Sequence, residues 1–272
     1  MPKPNYTRYR VEQGKHIALD DINPNDIGEY RNKEAAEAEL ILQRERIQDF
    51  QERLYAEHKQ SLLVVLQAMD TGGKDGTISH VFEGVNPQGC QVWPFKVPSP
   101  EELAHDFLWR YHDKAPPRGM IAIFNRSQYE DVLVVRVKNL VPDKVWRKRY
   151  DQINEFERTL TLNDTTIVKL FLYISKDEQK LRLESRLQDP TKQWKFSSQD
   201  VKERAYWDDY MKAYEDAINK CSTEYAPWYV VPANKKWYRN LVVAGIVADT
   251  LETMNPQYPP GEEGLENITI PD

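Results

Sequence analysis

The segment SLLVVLQAMDTGGKDGT, residues 61–77, joins an apolar run to a glycine-rich turn. The turn is similar to the phosphate-binding pattern G-x-x-x-x-G-K-[S/T], in which a glycine lies six residues before the lysine and a hydroxyl residue follows it. Gly73 and Lys74 match this pattern, but Ala68 and Asp75 occupy the other two positions. A phosphate site at Lys74 must therefore accommodate a carboxylate next to its lysine.

The local context favours a phosphate site at this turn. The apolar run at 62–66 predicts a buried strand, and a helix is predicted to begin at about Thr77. At such a junction, backbone N–H groups and the positive end of the helix converge on an anion. The residues expected to contact phosphate are Gly72, Gly73, Lys74, Asp75, Gly76 and Thr77. The alternative is an ordinary strand-to-helix turn with a surface lysine.

Two carboxylates in the turn, Asp70 and Asp75, indicate a metal ion. They would repel phosphate unless a cation lay between them and the phosphate oxygens, and Mg²⁺ is the cation that kinases use in this position. We therefore expect a phosphate site that works with magnesium.

The rest of the chain predicts a parallel sheet. Short apolar runs lie at 62–66, 92–95, 120–124, 167–174 and 228–231, and helix-patterned segments separate nearly all of them. Helices are predicted at 31–58, 77–85, 100–112, 128–138, 143–160, 177–188, 198–220 and 235–254. This alternation is typical of βαβ units, so we expect an α/β fold with a central parallel five-stranded sheet.

We expect one main domain with two appendages. Residues 1–60 combine a polar N-terminal arm with an amphipathic helix that packs on the core, residues 61–255 form the main domain, and residues 256–272 form a loosely ordered tail. Apolar Trp237, Tyr238 and Leu241 could serve either the core or an interface between copies. A homo-oligomer, dimer or tetramer, is expected.

Composition argues against several classes of protein. The two cysteines, Cys90 and Cys221, form no C-x-x-C pair, so neither a disulfide framework nor a zinc cluster is indicated, and a cytoplasmic location is expected. No stretch approaches the ~20 apolar residues that span a bilayer. The net charge of −6 argues against a general nucleic-acid or membrane binder, so we expect neither partner.

A second polar cluster follows the third apolar run, in FNRSQYED at 124–131. Ligands of open α/β sheets bind at the carboxyl ends of strands, so Asn125 and Arg126 should lie near the glycine turn if the first and third strands are neighbours. Arg126 could then neutralise charge on a phosphoryl group in transfer, with Glu130 at the start of the next helix. The alternative is a surface arginine beside a capping Asn or Ser.

Two further stretches concentrate positive charge in this acidic protein. Residues 180–204 carry seven basic residues against four acids, and Arg182 and Arg186 share one helical face. We predict a lid over phosphates at about 178–205, and the alternative is a solvated helix pair. A second basic group, which we call the 136–149 stretch, consists of Arg136, Lys138, Lys144, Arg147, Lys148 and Arg149.

In combination these motifs resemble the second family of polyphosphate kinases. The matching segments, spread over most of the chain, are MDTGGKDGT, FNRSQYEDV, RLQDPTKQWKFSSQD and TEYAPWYVVPANKKWYRN. The resemblance implies a three-layer P-loop kinase fold like that of thymidylate kinase, with a helical lid. It also implies Mg²⁺-dependent phosphoryl transfer between inorganic polyphosphate and AMP, ADP or ATP.

The resemblance assigns roles to individual residues. Asp70 would bind Mg²⁺ and contact the reacting phosphates, Lys74 would bind the phosphates, and Arg126 would be the arginine of the Walker B region. Arg182 and Arg186 would be lid residues.

Asn125 departs from the pattern of many members, which have aspartate at this position. Asparagine followed by R-S-x-Y-E-D-V resembles the class III branch, whose members phosphorylate AMP to ADP and ADP to ATP. The neutral side chain weakens a metal-ligand role for Asn125 and shifts that role towards Asp70. Polyphosphate itself is expected to contact Lys74, Arg126 and the 136–149 stretch.

Two other functions stay open at this point. An ATP-dependent nucleoside monophosphate kinase shares the fold but gives no reason for the 136–149 stretch. A noncatalytic polyanion-binding module is disfavoured by the clustered carboxylates. A phosphohistidine route lacks support because the five histidines form no cluster in the sequence. The preferred reaction direction, the polyphosphate chain length and the base preference also stay open.

Overall fold

The computed structural model describes residues 5–265 and 268–271. Its core is a sheet composed of β1 (Ser61–Gln67), β2 (Cys90–Pro94), β3 (Ile121–Asn125), β4 (Thr165–Tyr173) and β5 (Trp228–Pro232). The paired strands are parallel and lie in the order β2-β3-β1-β4-β5. The predicted α/β fold with a parallel five-stranded sheet is confirmed.

The buried position of the central strand, β1, explains its apolar sequence. All seven residues of β1 are buried between β3 and β4. Parallel sheets in α/β proteins are covered by helices on both faces, so a central strand is apolar on both faces instead of alternating. The run SLLVVL is therefore what a strand in this position requires.

The helices surround the sheet. They are α1 (Lys33–Glu57), α2 (Lys74–Val81), α3 (Pro100–Ala104), α4 (Trp109–His112), α5 (Val134–Val137), α6 (Asp143–Thr161), α7 (Lys176–Gln188), α8 (Ser198–Glu203), α9 (Trp207–Cys221) and α10 (Lys236–Met254). Short 3₁₀ helices precede α5, at Gln128–Asp131, and α9, at Arg204–Tyr206.

Three of the predicted helices are interrupted. The predicted helix at 100–112 is divided into α3 and α4, because His105 has extended backbone angles. Its start is as expected, since Ser99 and Glu102 form a reciprocal capping box. The segment 128–138 begins as a 3₁₀ helix that α5 follows, and 198–220 is divided by the 3₁₀ helix Arg204–Tyr206, so continuous helices there are wrong.

The N-terminal arm and α1 pack against the C-terminal helix. Tyr9 of the arm is buried, and its hydroxyl lies 2.5 Å from the hydroxyl of Tyr238 on α10. Ile47 and Leu54 of α1 are fully buried on the side that contacts α10. Tyr238 and Leu241 therefore belong to the core of this chain. Within the described residues, no helix is long and apolar enough to cross a membrane.

A buried ion pair lies under the segment that follows β3. Lys169 on β4 and Glu157 on α6 are both fully buried, with Nζ 2.5 Å from Oε2. Lys169 also donates to the Tyr129 hydroxyl and the Cys221 carbonyl, and Glu157 accepts from Gln128 and Tyr129. The network therefore fixes the 3₁₀ helix after β3 to the sheet.

This ion pair generates a stability prediction. Replacing Lys169 with Met leaves Glu157 buried without its cation, so we expect the free energy of unfolding in urea to fall by about 3–5 kcal/mol. The double variant Lys169→Met/Glu157→Gln removes both charges and should recover part of that loss. Lys180→Met is the control, because Lys180 forms an exposed pair with Glu184, and its effect should stay within about 0.5 kcal/mol. A single Lys169→Met variant as stable as the parent would contradict the prediction.

Candidate active site

A cleft of about 950 Å³ lies at the carboxyl edge of the sheet. Its walls come from the turn after β1, the end of β3, the lid segment and the start of α10. The basic residues that line it are Lys74, Lys96, Arg126, Arg182, Arg186, Lys192, Lys195, Lys236 and Arg239. The acidic ones are Asp70, Asp75, Glu178 and Asp200. An excess of cations in a concave surface attracts polyanions.

The glycine turn has a backbone that only small residues permit. Gly73 has φ of +97° and ends the turn directly before α2. A Cβ atom at Gly73 would lie 2.0 Å from Nη1 of Arg239. Glycine is therefore required both for the left-handed angle and for the close approach of the arginine. Thr71 is also left-handed, with φ of +63°.

Lys74 is the first residue of α2 and is buried at the base of the turn. Its Nζ donates to the carbonyl of Ala68 at 2.9 Å. Burial, together with the nearby charge of Arg126, lowers the pKa of Lys74 to about 8, against the opposing effect of Asp70. An anion that replaces water beside this ammonium group would favour its charged form.

Arg126 and Asp70 meet across the cleft edge, as the neighbouring strands predicted. Nη2 of Arg126 lies 2.9 Å from Oδ1 of Asp70, and Nη1 lies 3.6 Å from Oε2 of Glu130. Glu130 is the main cause of a raised pKa at Arg126. The side chain of Arg126 is 41% exposed and lines the cleft. Its backbone is left-handed, with φ of +67°, a strained conformation that is common at functional sites.

Asn125 contacts the second carboxylate of the turn. Its Nδ2 donates to Oδ1 of Asp75 at 2.6 Å. The amide thus orients Asp75 without adding charge. Within residues 5–265 and 268–271, no group of three or more His, Cys, Asp or Glu side chains is placed to hold a metal ion. A cation at Asp70 or Asp75 would therefore need oxygens from phosphates and water.

The lid arginines differ in their surroundings. Arg186 lines the cleft, and its Nη1 donates to the Lys195 carbonyl at 3.2 Å. Arg182 is buried, with Nη1 bonded to the carbonyls of Thr71 and Gly72 at 3.0 and 3.1 Å. Arg182 therefore braces the glycine turn from the lid side. Direct contact of either arginine with phosphate stays a prediction.

The 136–149 stretch does not line this cleft. Ion pairs join Arg136 to Asp216 at 2.6 Å and Lys138 to Glu203 at 2.8 Å. The remaining ion pairs are Arg147 with Asp143 and Arg149 with Asp131. Lys144 and Lys148 are exposed on α6. Contact of this stretch with polyphosphate stays a prediction.

Several cleft residues were not predicted from the sequence, among them Lys96 after β2 and Lys236, Arg239 and Asn240 in the first turns of α10. The available signal was their position after β2 or β5, because the rule that selected Asn125 applies to the carboxyl end of every strand in the sheet.

Comparison with known proteins supplies independent information. Residues 30–259 match the family described as Polyphosphate kinase 2. The chain is 54% identical over 264 residues to the AMP/ADP-polyphosphate phosphotransferase of Meiothermus ruber, which covers 97% of this chain and 99% of that protein. It is 46% identical to the ADP-polyphosphate phosphotransferase of Rhodopseudomonas palustris, over 93% of this chain and 91% of that protein.

Solved structures agree with the sequence match. The crystal structure of polyphosphate kinase 2 from Arthrobacter aurescens TC1 superposes with a TM-score of 0.92 at 46% identity, over 96% of this chain and 93% of that chain. The P-loop kinase fold that the family resemblance implied is thus shown. Fold and sequence agree over nearly the whole length, and the chain belongs to the polyphosphate kinase 2 family.

Proposed function

We propose that this protein transfers phosphoryl groups between inorganic polyphosphate and nucleotides, converting AMP to ADP and ADP to ATP. The observation that carries the proposal is the convergence of Lys74, Arg126 and the carboxylate of Asp70 at one end of a cation-rich cleft. The relative with 54% identity is named AMP/ADP-polyphosphate phosphotransferase, and this name includes both AMP and ADP. Near-complete coverage of both chains supports the transfer of that activity.

Catalysis in this cleft is mainly positioning and charge neutralisation. Two polyanions must approach each other, and their mutual repulsion is the principal barrier to transfer. Lys74 and Arg126 neutralise the negative charge on the oxygens of the transferring phosphoryl group. The backbone N–H groups of the turn before α2 orient these oxygens. Phosphoryl transfer of this type requires no covalent enzyme intermediate.

Magnesium is the proposed cofactor, and the residues present fit it. Mg²⁺ is usually held by one or two carboxylates, with phosphates and waters as the other ligands, and Asp70 and Asp75 provide two carboxylates beside the phosphate turn. Asp70 is the proposed direct ligand, and Asn125 orients Asp75. Bound Mg²⁺ would offset the negative charge of the phosphates.

Several finer proposals accompany this one. Residues 178–205 act as a lid that closes over bound phosphates, and residues 1–60, 61–255 and 256–272 form an arm with its helix, the kinase domain and a tail. The 136–149 stretch guides long polyphosphate chains towards the cleft. The expected homo-oligomeric state and cytoplasmic location stay predictions.

The decisive experiment is a test of the donor. Purified protein is incubated with Mg²⁺, long-chain polyphosphate and either AMP or ADP, and the nucleotides are separated by chromatography. We expect ATP from ADP with no other nucleotide added, and ADP from AMP. A reaction without polyphosphate controls for phosphoryl transfer between two ADP molecules, which would give ATP and AMP. Phosphorylation of AMP by ATP alone would identify the nucleoside monophosphate kinase, and binding without turnover would identify the noncatalytic module.

The pKa of Lys74 predicts a pH dependence. Phosphate binds the protonated lysine, so kcat/KM for polyphosphate should be steady below about pH 8 and fall above it, as the free enzyme loses this proton. Lys74→Arg keeps the charge at all accessible pH values. Its remaining activity should therefore lack the decline near pH 8. The same alkaline decline in the Lys74→Arg variant would assign it to another group.

The proposed metal role of Asp70 is tested by Asp70→Asn. Removing the negative charge should raise the Mg²⁺ concentration that gives the half-maximal rate about tenfold, and it should also lower kcat. Asp151→Asn, an exposed position on α6 outside the cleft, is the control and should change neither value. If extra nucleotide alone restored the rate of Asp70→Asn, the metal role would be excluded.

A further inference from the structure

Three cations form one wall of the cleft beside the glycine turn. They are Arg182 on α7 and Lys236 and Arg239 on α10, and we call them the cationic wall. Nη1 of Arg182 and Nη1 of Arg239 both donate to the carbonyl of Gly72, at 3.1 and 3.3 Å. Arg182 and Arg239 are buried, whereas Lys236 is exposed at the cleft surface.

The cationic wall has few compensating charges. Within residues 5–265 and 268–271, its one ion pair joins Arg182 to Glu178 at 2.8 Å. Among the residues that the structure describes, no carboxylate oxygen lies within 4.0 Å of the nitrogens of Arg239 or Lys236. Burial, together with the charge of Arg182, lowers the pKa of Arg239 to about 9 and also lowers that of Lys236. Buried cations are normally paired, so this wall lacks an anion.

The opposite charge balance holds at the end of the cleft formed by the segment after β3, which lies on the other side of β1 from β5 and α10. Lys74 and Arg126 lie close to three carboxylates, those of Asp70, Asp75 and Glu130. That end suits phosphates that arrive with Mg²⁺, because the carboxylates attract the metal and repel a bare anion. The cationic wall suits phosphates that carry no metal ion.

Free N–H groups identify the members that can contact a ligand. Arg182 donates through Nε to Glu178, through Nη1 to Thr71 and Gly72, and through Nη2 to Ala233 and Asn234. All five of its donors are therefore used.

Arg239 uses fewer of its N–H donors in hydrogen bonds than Arg182 does. Its Nη1 bonds Gly72 and its Nη2 bonds Asn240, which leaves one N–H on each of these nitrogens. A free N–H on each of the two terminal nitrogens allows an arginine to donate twice to one phosphate group. Lys236 adds a mobile ammonium group at the same surface.

We propose that the cationic wall binds the part of the polyphosphate chain that is not reacting, through Arg239 and Lys236 and without a metal ion. The assignment rests on the proposed function, since it names the wall that receives the donor. Arg182 is a positioning residue here: it holds the Gly72 carbonyl and supplies charge. The nucleotide phosphates, with Mg²⁺, bind at the Asp70 end.

The kinetic test uses Lys236→Ala, because an exposed side chain is removed without disturbing the core. With ADP saturating, we expect the KM for polyphosphate to rise about tenfold, while the KM for ADP changes less than about twofold. Lys235→Ala is the matched control, since Lys235 is exposed but does not line the cleft, and both KM values should be unchanged. Arg239→Lys keeps the charge but loses the paired N–H groups, so it should also raise the KM for polyphosphate.

A binding test separates this inference from the proposed function. In EDTA, tripolyphosphate should raise the thermal unfolding temperature of the parent protein and of the Lys235→Ala variant. The increase for Lys236→Ala should be much smaller. This shift would support the wall even if polyphosphate failed as a donor for the parent. A higher KM for ADP instead of polyphosphate in Lys236→Ala, or equal stabilisation of both variants in EDTA, would overturn the inference.

Discussion

The site depends on the parallel pairing of β1 with β3. Leu66 is in register with Asn125, and the backbone N–H of Arg126 donates to the Leu66 carbonyl at 3.0 Å. This bond places two chain segments, about sixty residues apart in sequence, side by side where both strands end. A slip of one residue would turn each side chain of β3 to the other face of the sheet. The contact of Arg126 with Asp70 thus follows from a backbone hydrogen bond.

Charge is distributed unevenly around the cleft, and the distribution follows the chain topology. The carboxylates beside Lys74 and Arg126 come from the turn after β1 and the segment after β3, and Glu178 and Asp200 come from α7 and α8. Lys236 and Arg239, which form no ion pair with a described residue, come from the start of α10. A phosphotransferase that uses two polyanionic substrates must hold both in one cleft against their mutual repulsion. Two ends with different carboxylate content allow one substrate to arrive with metal and the other without it.

Much of this arrangement could be predicted from the sequence. The strands and their parallel sense follow from apolar runs between helical segments, and the glycine turn with Lys74 follows from its place after the first strand. Lys236 and Arg239 escaped prediction because basic residues near a helix start carry no distinctive spacing, and the burial of Arg239 depends on its packing against the glycine turn. The breaks at His105 and within 198–220 depend on tertiary packing, which overrides local helix propensity.

Four of the five hydrogen bonds of Arg182 also limit how the proposed lid can move. Together with Gln179, whose side chain bonds the Asp70 carbonyl at 3.0 Å, they fasten the first two turns of α7 to the floor of the cleft. Any pivot must therefore lie beyond Arg182, near Arg186 and the Asp-Pro break that ends the helix. Motion of the proposed lid would then be confined to about twenty residues, and the floor of the cleft would keep its shape from one turnover to the next.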